Sequence, residues 1–101
     1  MSLMFSTHVN AVDSFKSSQF LSFSQEGQAS YISTSVGMTG LIAARNDKKH
    51  ADCIDQWYFS DMNHGNQEII AAMRKYPDYH PQAVIIAVLQ KFCGTFTYAN
   101  R

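Results

Sequence analysis

Histidine and cysteine are the side chains of this sequence best suited to binding a metal, and two of them stand close together. His50 and Cys53 are separated by two residues, which is a common spacing for metal ligands. His64, His80 and Cys93 would have to complete the set, yet a structural zinc site usually contains two close pairs and this sequence has one. We therefore expect no metal and no other cofactor, with His50 on the surface and Cys53 in the core.

Covalent catalysis needs a nucleophile beside a base, and Cys53 could fill the first role with His50 or His64 as the base. Cys93 is a poor nucleophile, because an apolar setting and the end of a predicted helix both disfavour a thiolate. An enzyme or ligand-binding site would have to form around His50, Cys53, Asp61 and His64, but no triad-like set is visible in the sequence. The catalytic residues therefore stay unassigned.

The polar segment 61–68 leads into a predicted helix. It does not fit an EF-hand calcium loop, because Gly65 comes one place early and the twelfth position is Ala72. The free N–H groups at a helix start attract anions, and a protonated His64 would add a positive charge there. His64 is therefore a candidate residue for binding a phosphate or a carboxylate, although every helix start shares this property.

Tyrosine and tryptophan are numerous for a chain of this size, with five tyrosines and one tryptophan. Both are enriched at the centres of protein interfaces, where a large ring with one polar group contributes contact area. Tyr58, Tyr76 and Tyr79 are therefore candidate interaction residues, whereas Trp57 is expected at the rim of the core. The same rim position is the alternative for the three tyrosines.

Size and charge limit the kinds of partner. The chain has 101 residues, of which 46% are apolar, so we expect one domain spanning 1–101. Eight basic residues balance eight acidic ones, which argues against duplex DNA, because a basic excess supplies most of the affinity there. The longest apolar run, 83–89, is too short to cross a bilayer, and no membrane association is expected. Zero net charge leaves little repulsion between copies, which favours a protein partner or a homodimer.

The two cysteines and the N-terminus bear on the compartment. The first residues lack the basic start and the long apolar run of a signal peptide. Two cysteines are few for a disulfide-held secreted domain, so we interpret Cys53 and Cys93 as reduced, buried thiols of a cytoplasmic protein. A single disulfide between them is the alternative. The doubled methionine suggests a native start at Met4, with residues 1–3 added for expression.

Strand-like patterns dominate the first part of the chain. The predicted strands are 20–25, 28–36, 40–45 and 53–60, and 95–98 could add a short one. In the second of them, the β-branched residues at 32, 34 and 36 alternate with Tyr31, Ser33 and Ser35, and β-branched and aromatic residues dominate, as a half-buried strand requires. Three consecutive aromatic residues favour a strand in the fourth, although Ala51, Ile54 and Tyr58 also fit helical spacing. A short helix is predicted over 10–18.

Two helices are predicted in the C-terminal part, over about 67–76 and about 81–93. Asn66 is the expected N-cap of the first. The second begins at Pro81 and is apolar on all sides, so we expect it to be fully buried, either in the fold or in an interface. Replacing Ile86 with aspartate should then abolish folding or assembly, because an unpaired charge would be buried.

These elements add up to an α+β fold, in which an antiparallel sheet of about three to five strands is covered on one face by the two C-terminal helices. We expect a small cytoplasmic accessory or regulatory protein that acts by protein–protein contact, a profile that small accessory proteins of phages and mobile elements share. The second hypothesis is the enzyme or ligand-binding site described above. The third is binding of single-stranded nucleic acid on an aromatic sheet face with Tyr31, Tyr58, Lys48 and Lys49.

Overall fold

The computed structural model describes residues 15–96, and every regular element in this range is a helix. The helices of this range are α1 (Ser17–Phe20), α2 (Gln25–Ala44), α3 (Lys48–Phe59), α4 (Met62–Lys75) and α5 (Pro81–Cys93). The predicted α+β fold is therefore wrong, since residues 15–96 contain no strand and form an all-α arrangement.

Helix α2 occupies the stretch in which strands were expected, because its apolar residues fit the helical period as well as the strand period. Ile32, Val36 and Ala43 lie four and seven residues apart, and all three are fully buried. Gly37 and Gly40, which lie between or at the start of the predicted strands 28–36 and 40–45, are inside this continuous helix. The apolar residues of this segment therefore satisfy the helical period as well as the two-residue period of a strand, and their alternation does not by itself indicate a strand.

Local hydrogen bonds explain how α2 tolerates so many hydroxyl side chains. Ser24 caps its start, where the Oγ atom accepts a hydrogen bond from the N–H of Gly27 at 3.0 Å. Within the helix, the buried Thr39 hydroxyl donates to the carbonyl of Ser35 at 2.9 Å. Such back-bonding pairs the hydroxyl inside the helix, so serine and threonine need not select extended backbone.

Helix α3 resolves the ambiguity of segment 53–60, and the preference for a strand is wrong. Asp47 caps the helix, because its carboxylate accepts a hydrogen bond from the N–H of His50 at 3.3 Å. The residues that α3 buries have helical spacing: His50, Ala51, Ile54 and Tyr58. The aromatic run is split by this period, since Tyr58 enters the core while Phe59 is 44% exposed.

Both C-terminal helices are present, and α5 covers the predicted residues 81–93. Helix α4 begins earlier than predicted because Asp61, rather than Asn66, is its N-cap, with its carboxylate accepting from the N–H of His64 at 3.1 Å. Residues 1–3, most of the predicted helix 10–18 and the end of the predicted strand 95–98 lie outside the described residues.

The core lies where α2 and α3 pack against α4 and α5. Helix α5 contributes one fully or nearly fully buried face, made of Val84, Ile85, Val88 and Leu89. Its other face carries Ala83 and Ala87, which are exposed, and Ile86, which is half-buried. The fold alone therefore does not bury α5 on all sides, and an apolar strip of this helix reaches the surface. Burial of that strip in an interface stays a prediction.

Gly65 allows α4 to approach α3 closely, and its replacement by alanine is expected to destabilise the fold. An added Cβ would lie 2.6 Å from Cδ1 of the Tyr58 ring, which forces the ring or the helix to move. We expect Gly65→Ala to lower the free energy of unfolding by about 1–3 kcal/mol. Gly37 is the matched control, because nothing lies within 4 Å of its added Cβ.

In Gly37→Ala only the better helix propensity of alanine remains, so a gain of about 0.5–1 kcal/mol is expected. Urea unfolding followed by far-ultraviolet circular dichroism measures both variants. Equal stability of the two variants would contradict the close packing of Gly65 against the Tyr58 ring.

Candidate functional site

The structure separates the four residues that the sequence suggested for a binding surface. Tyr58 is fully buried, and its hydroxyl donates to Oδ1 of Asn66 at 2.6 Å. His64 is exposed on the first turn of α4. Tyr76 and Tyr79 are 47% and 61% exposed, and their rings meet edge to face with centroids 5.8 Å apart. Only this last pair forms part of a common surface.

Burial raises the pKa of the Tyr58 hydroxyl above its usual value of 10.0. The folded state therefore binds this proton more tightly than the unfolded chain does, so the resulting stability is present below pH 10 and is lost as the pH rises above it. We expect the free energy of unfolding to fall more steeply above pH 10 in the wild type than in Tyr58→Phe. Denaturant titrations of both proteins at pH 9 and above measure this; parallel curves would contradict it.

The exposed tyrosines stand at one end of an apolar groove between α4 and α5, which we call the α4/α5 groove. It has a volume of about 520 Å³. Its floor consists mainly of small side chains, namely Ala71, Ala72, Ala83, Val84, Ala87 and Val88. Phe92 lines it too, 40% exposed and stacked on Trp57 with ring centroids 4.7 Å apart. The groove is thus shallow in the middle and bounded by aromatic rings.

Helix α1 fixes the tyrosine end of this groove. The backbone N–H and the hydroxyl of Ser17 both donate to the carbonyl of Tyr79 at 2.8 Å, and Ser17 is fully buried. The N–H of Ser18 donates to the carbonyl of Pro77 at 3.0 Å. These long-range bonds hold the backbone of the α4–α5 connection, so the Tyr79 ring extends from a fixed point.

Two lysines and one glutamate line the α4/α5 groove. The Nζ atom of Lys75 lies 5.8 Å from the centroid of the Tyr76 ring, and that of Lys91 lies 5.3 Å from the centroid of the Phe92 ring. The one side-chain ion pair within residues 15–96 joins two residues of α3. Within the same range, Lys75, Lys91 and Glu68 therefore have no oppositely charged partner. The groove therefore has an excess of one positive charge.

A second groove, between α2 and α5, is called the α2/α5 groove. It has a volume of about 730 Å³. Its lining comes from α2, from α5 and from the segment after α5, namely Ser30, Tyr31, Thr34, Ser35, Met38, Thr39, Ile42, Gln82, Ile86 and Phe96. None of these side chains is ionisable at neutral pH, so this groove differs from the first in carrying no formal charge.

Cys53 and Cys93 form a disulfide, with Cα atoms 5.7 Å apart. The interpretation of the two residues as reduced thiols is therefore wrong, and the alternative of a single bridge holds. The bridge joins the middle of α3 to the last residue of α5. His50, expected at the surface, is 7% exposed and packs its ring against Phe96 with centroids 4.6 Å apart.

The cluster proposed for an enzyme does not assemble around one cleft. Cys53 is held in the disulfide, His50 is buried, and Asp61 caps α4 while His64 is exposed there. None of the four lines either groove. Within residues 15–96, no three histidine, cysteine, aspartate or glutamate side chains are arranged to hold a metal ion.

Comparison with protein-family models, with curated proteins and with solved structures finds no match. No helix within residues 15–96 is long and apolar enough to cross a membrane. The groove geometry is therefore the basis for a functional hypothesis.

Sequence reasoning found Tyr76 and Tyr79 but missed the alanines that make the floor of their groove. Alanines at 83 and 87 lie one helical turn apart, and 71 and 72 share the facing helix. Small residues on two helices joined by a short link would have indicated a shallow groove. Lys91 and Phe92 lie one turn further along α5 from Ala87, so the same pattern would have included them.

Proposed function

We propose that this protein binds an amphipathic helix of another protein in the α4/α5 groove. The observation that carries the proposal is an open apolar groove with an alanine floor and exposed Tyr76, Tyr79 and Phe92 rings. Small floor residues let a third helix approach closely, and aromatic rings supply rigid contact area. Docking of an apolar helix face into such a groove is a recurrent mode of protein recognition.

The length of the groove determines how many turns of the partner helix contact it. The lining residues contributed by α4 and its C-cap run from position 68 to position 76, a rise of about 12 Å along the helix axis. A partner helix would contact this length with about two turns. Its apolar residues would then recur at i, i+3 or i+4, and i+7.

The charged residues that line the groove determine which residues the partner helix should carry beside its apolar stripe. Lys75 and Lys91 outnumber Glu68 along the groove, and none of the three is neutralised within residues 15–96. Acidic residues beside the apolar stripe would meet this excess, whereas basic residues would be repelled. The proposed partner is therefore an acidic amphipathic helix.

Isothermal titration calorimetry with synthetic peptides tests the proposal. The probe is a peptide of about 18 residues with leucines at i, i+3 and i+7 and glutamates beside them. Its matched control keeps the leucines and replaces each glutamate with lysine. We expect the acidic peptide to bind more tightly by about threefold to tenfold, because exposed ion pairs contribute little each.

A variant that fills the groove locates the binding site. Ala71 is exposed on the floor, so Ala71→Phe should fold normally and weaken binding of the acidic peptide by at least about tenfold. Ala44→Phe is the matched control, because Ala44 is also exposed and lines neither groove. Equal affinities of the two variants, or no binding by the wild type, would contradict the proposal.

The alternative functions have less support. The enzyme hypothesis needed His50, Cys53, Asp61 and His64 in one cleft, and the nucleic-acid hypothesis needed an aromatic sheet face. Residues 15–96 provide neither arrangement.

The disulfide also favours a compartment that oxidises thiols over the reducing cytoplasm that the sequence suggested.

A further inference from the structure

Charge is distributed unevenly between the helices. Segment 45–55 carries six of the sixteen charged residues of the chain, all on α3 or just before it. In contrast, α2 has no ionisable charge between Glu26 and Arg45, and α5 has none before Lys91. The surface that α2 and α5 share, called the α2/α5 face, is therefore uncharged along most of its length, with the exposed Arg45 at the end of α2.

Large apolar side chains are exposed on this face. Met38, Leu41 and Ile42 are 58%, 68% and 56% exposed, and they follow one another along the last turns of α2. Met38 and Ile42 form an edge of the α2/α5 groove, while Leu41 stands outside the groove on the neighbouring ridge. A cluster of this kind on a soluble surface marks a site that is covered by another molecule.

Two hydroxyl groups that line the α2/α5 groove, those of Ser35 and Thr39, already donate hydrogen bonds within the protein. The Ser35 hydroxyl donates to Oε1 of Gln82 at 2.6 Å, which links α2 to α5. The Thr39 hydroxyl donates to the carbonyl of Ser35 at 2.9 Å. Covering these groups with an apolar side chain therefore leaves none of these hydroxyls without a hydrogen bond, which keeps the cost of desolvation low.

These properties suit a second copy of the same chain. A two-fold interface places each residue near the axis against its own kind, so any charge there would face a like charge. The α2/α5 groove has no charged lining residue, and the chain has zero net charge. The face also holds a ridge at Leu41 beside a groove, so the ridge of one copy can enter the groove of the other reciprocally.

We infer that two copies of this protein pair through the α2/α5 face, each inserting Leu41 into the α2/α5 groove of the other. This contact is separate from the α4/α5 groove, which stays open for the acidic helix. The paired form would present two such grooves.

Light scattering coupled to size exclusion, on the purified full chain with its disulfide intact and with no peptide, measures the pairing. We expect twice the mass of one chain at high concentration. Leu41→Glu should weaken self-association by at least about a hundredfold, because each interface would bury two unpaired carboxylates. Unchanged circular dichroism of this variant shows that the monomer is folded.

A matched pair of methionine variants locates the interface. Met38→Glu changes the α2/α5 face, whereas Met62→Glu makes the same change at a residue that is 40% exposed and lines neither groove. We expect Met38→Glu to be monomeric and Met62→Glu to remain paired. A wild-type monomer at every concentration, or a dimer that survives both Met38→Glu and Leu41→Glu, would overturn the inference. Peptide binding by the Leu41→Glu monomer tests the α4/α5 groove separately.

Discussion

Ile85→Asp is expected to prevent folding, whereas Ile86→Asp is expected to leave the helical fold intact. Ile85 is fully buried in the core, and its neighbour Ile86 is half-buried at the α2/α5 groove. An unpaired carboxylate in an apolar core costs several kcal/mol or more, which is comparable to the whole stability of about 5–15 kcal/mol of a small domain. At Ile86 the carboxylate can reach water from its position beside the groove.

Far-ultraviolet circular dichroism and thermal unfolding of the two variants measure this contrast. The sequence alone predicted that Ile86→Asp abolishes folding or assembly, and the structure assigns the folding defect to position 85 instead. Ile86→Asp should still weaken self-association, because the side chain lines the groove that receives Leu41. Loss of helical structure in Ile86→Asp, or a cooperative wild-type-like transition in Ile85→Asp, would contradict the burial of α5 described above.

Replacing Cys53 and Cys93 together with alanine is expected to lower the free energy of unfolding by about 4 kcal/mol. The bridge closes a loop across a sequence separation of 40 residues, and chain-entropy arguments give about 4 kcal/mol for a loop of that size. The cross-link restricts the unfolded chain, and it also fastens the end of α5 to α3. Its loss should therefore loosen the last turn of α5.

Denaturant unfolding with and without a thiol reductant measures the contribution of the bridge. The wild type should lose stability when the reductant is added, and the double alanine variant should be unaffected by it. The emission of Trp57 should also change on reduction, because its ring stacks on Phe92 next to Cys93. Equal stability of the wild type with and without reductant would contradict a disulfide at this position.

The helices that the sequence predicts well are those with explicit start signals. Pro81 at the first position fixed the start of α5, and Gly94 with a φ of 97° follows its end. The strands predicted in the first part of the chain are wrong, because threonine and the other β-branched residues have strand propensity but here fit the helical period. Tertiary burial of Ile32, Val36 and Ala43 decides between the two periods, and burial cannot be read from propensity.

The candidate site could be predicted only in part for a related reason. Tyr58 is buried whereas Tyr76 and Tyr79 are exposed, and nothing in the residue type distinguishes the three in the sequence. The pairing of Cys53 with Cys93 depends on the position of α5 over α3, which no local pattern specifies. Gly65 likewise looks like a loop residue until α4 is seen to contact the Tyr58 ring.

The central claim, that the α4/α5 groove binds an acidic amphipathic helix, is tested most directly by exchanging charges. The double variant Lys75→Glu/Lys91→Glu is titrated calorimetrically with the acidic and the basic leucine peptides. The comparison measures whether reversing the charge of the groove reverses which peptide binds more tightly. The account predicts that the wild type prefers the acidic peptide and that the double variant prefers the basic one, each by about threefold to tenfold. An unchanged preference in the double variant, or no binding of either peptide to the wild type, would contradict it.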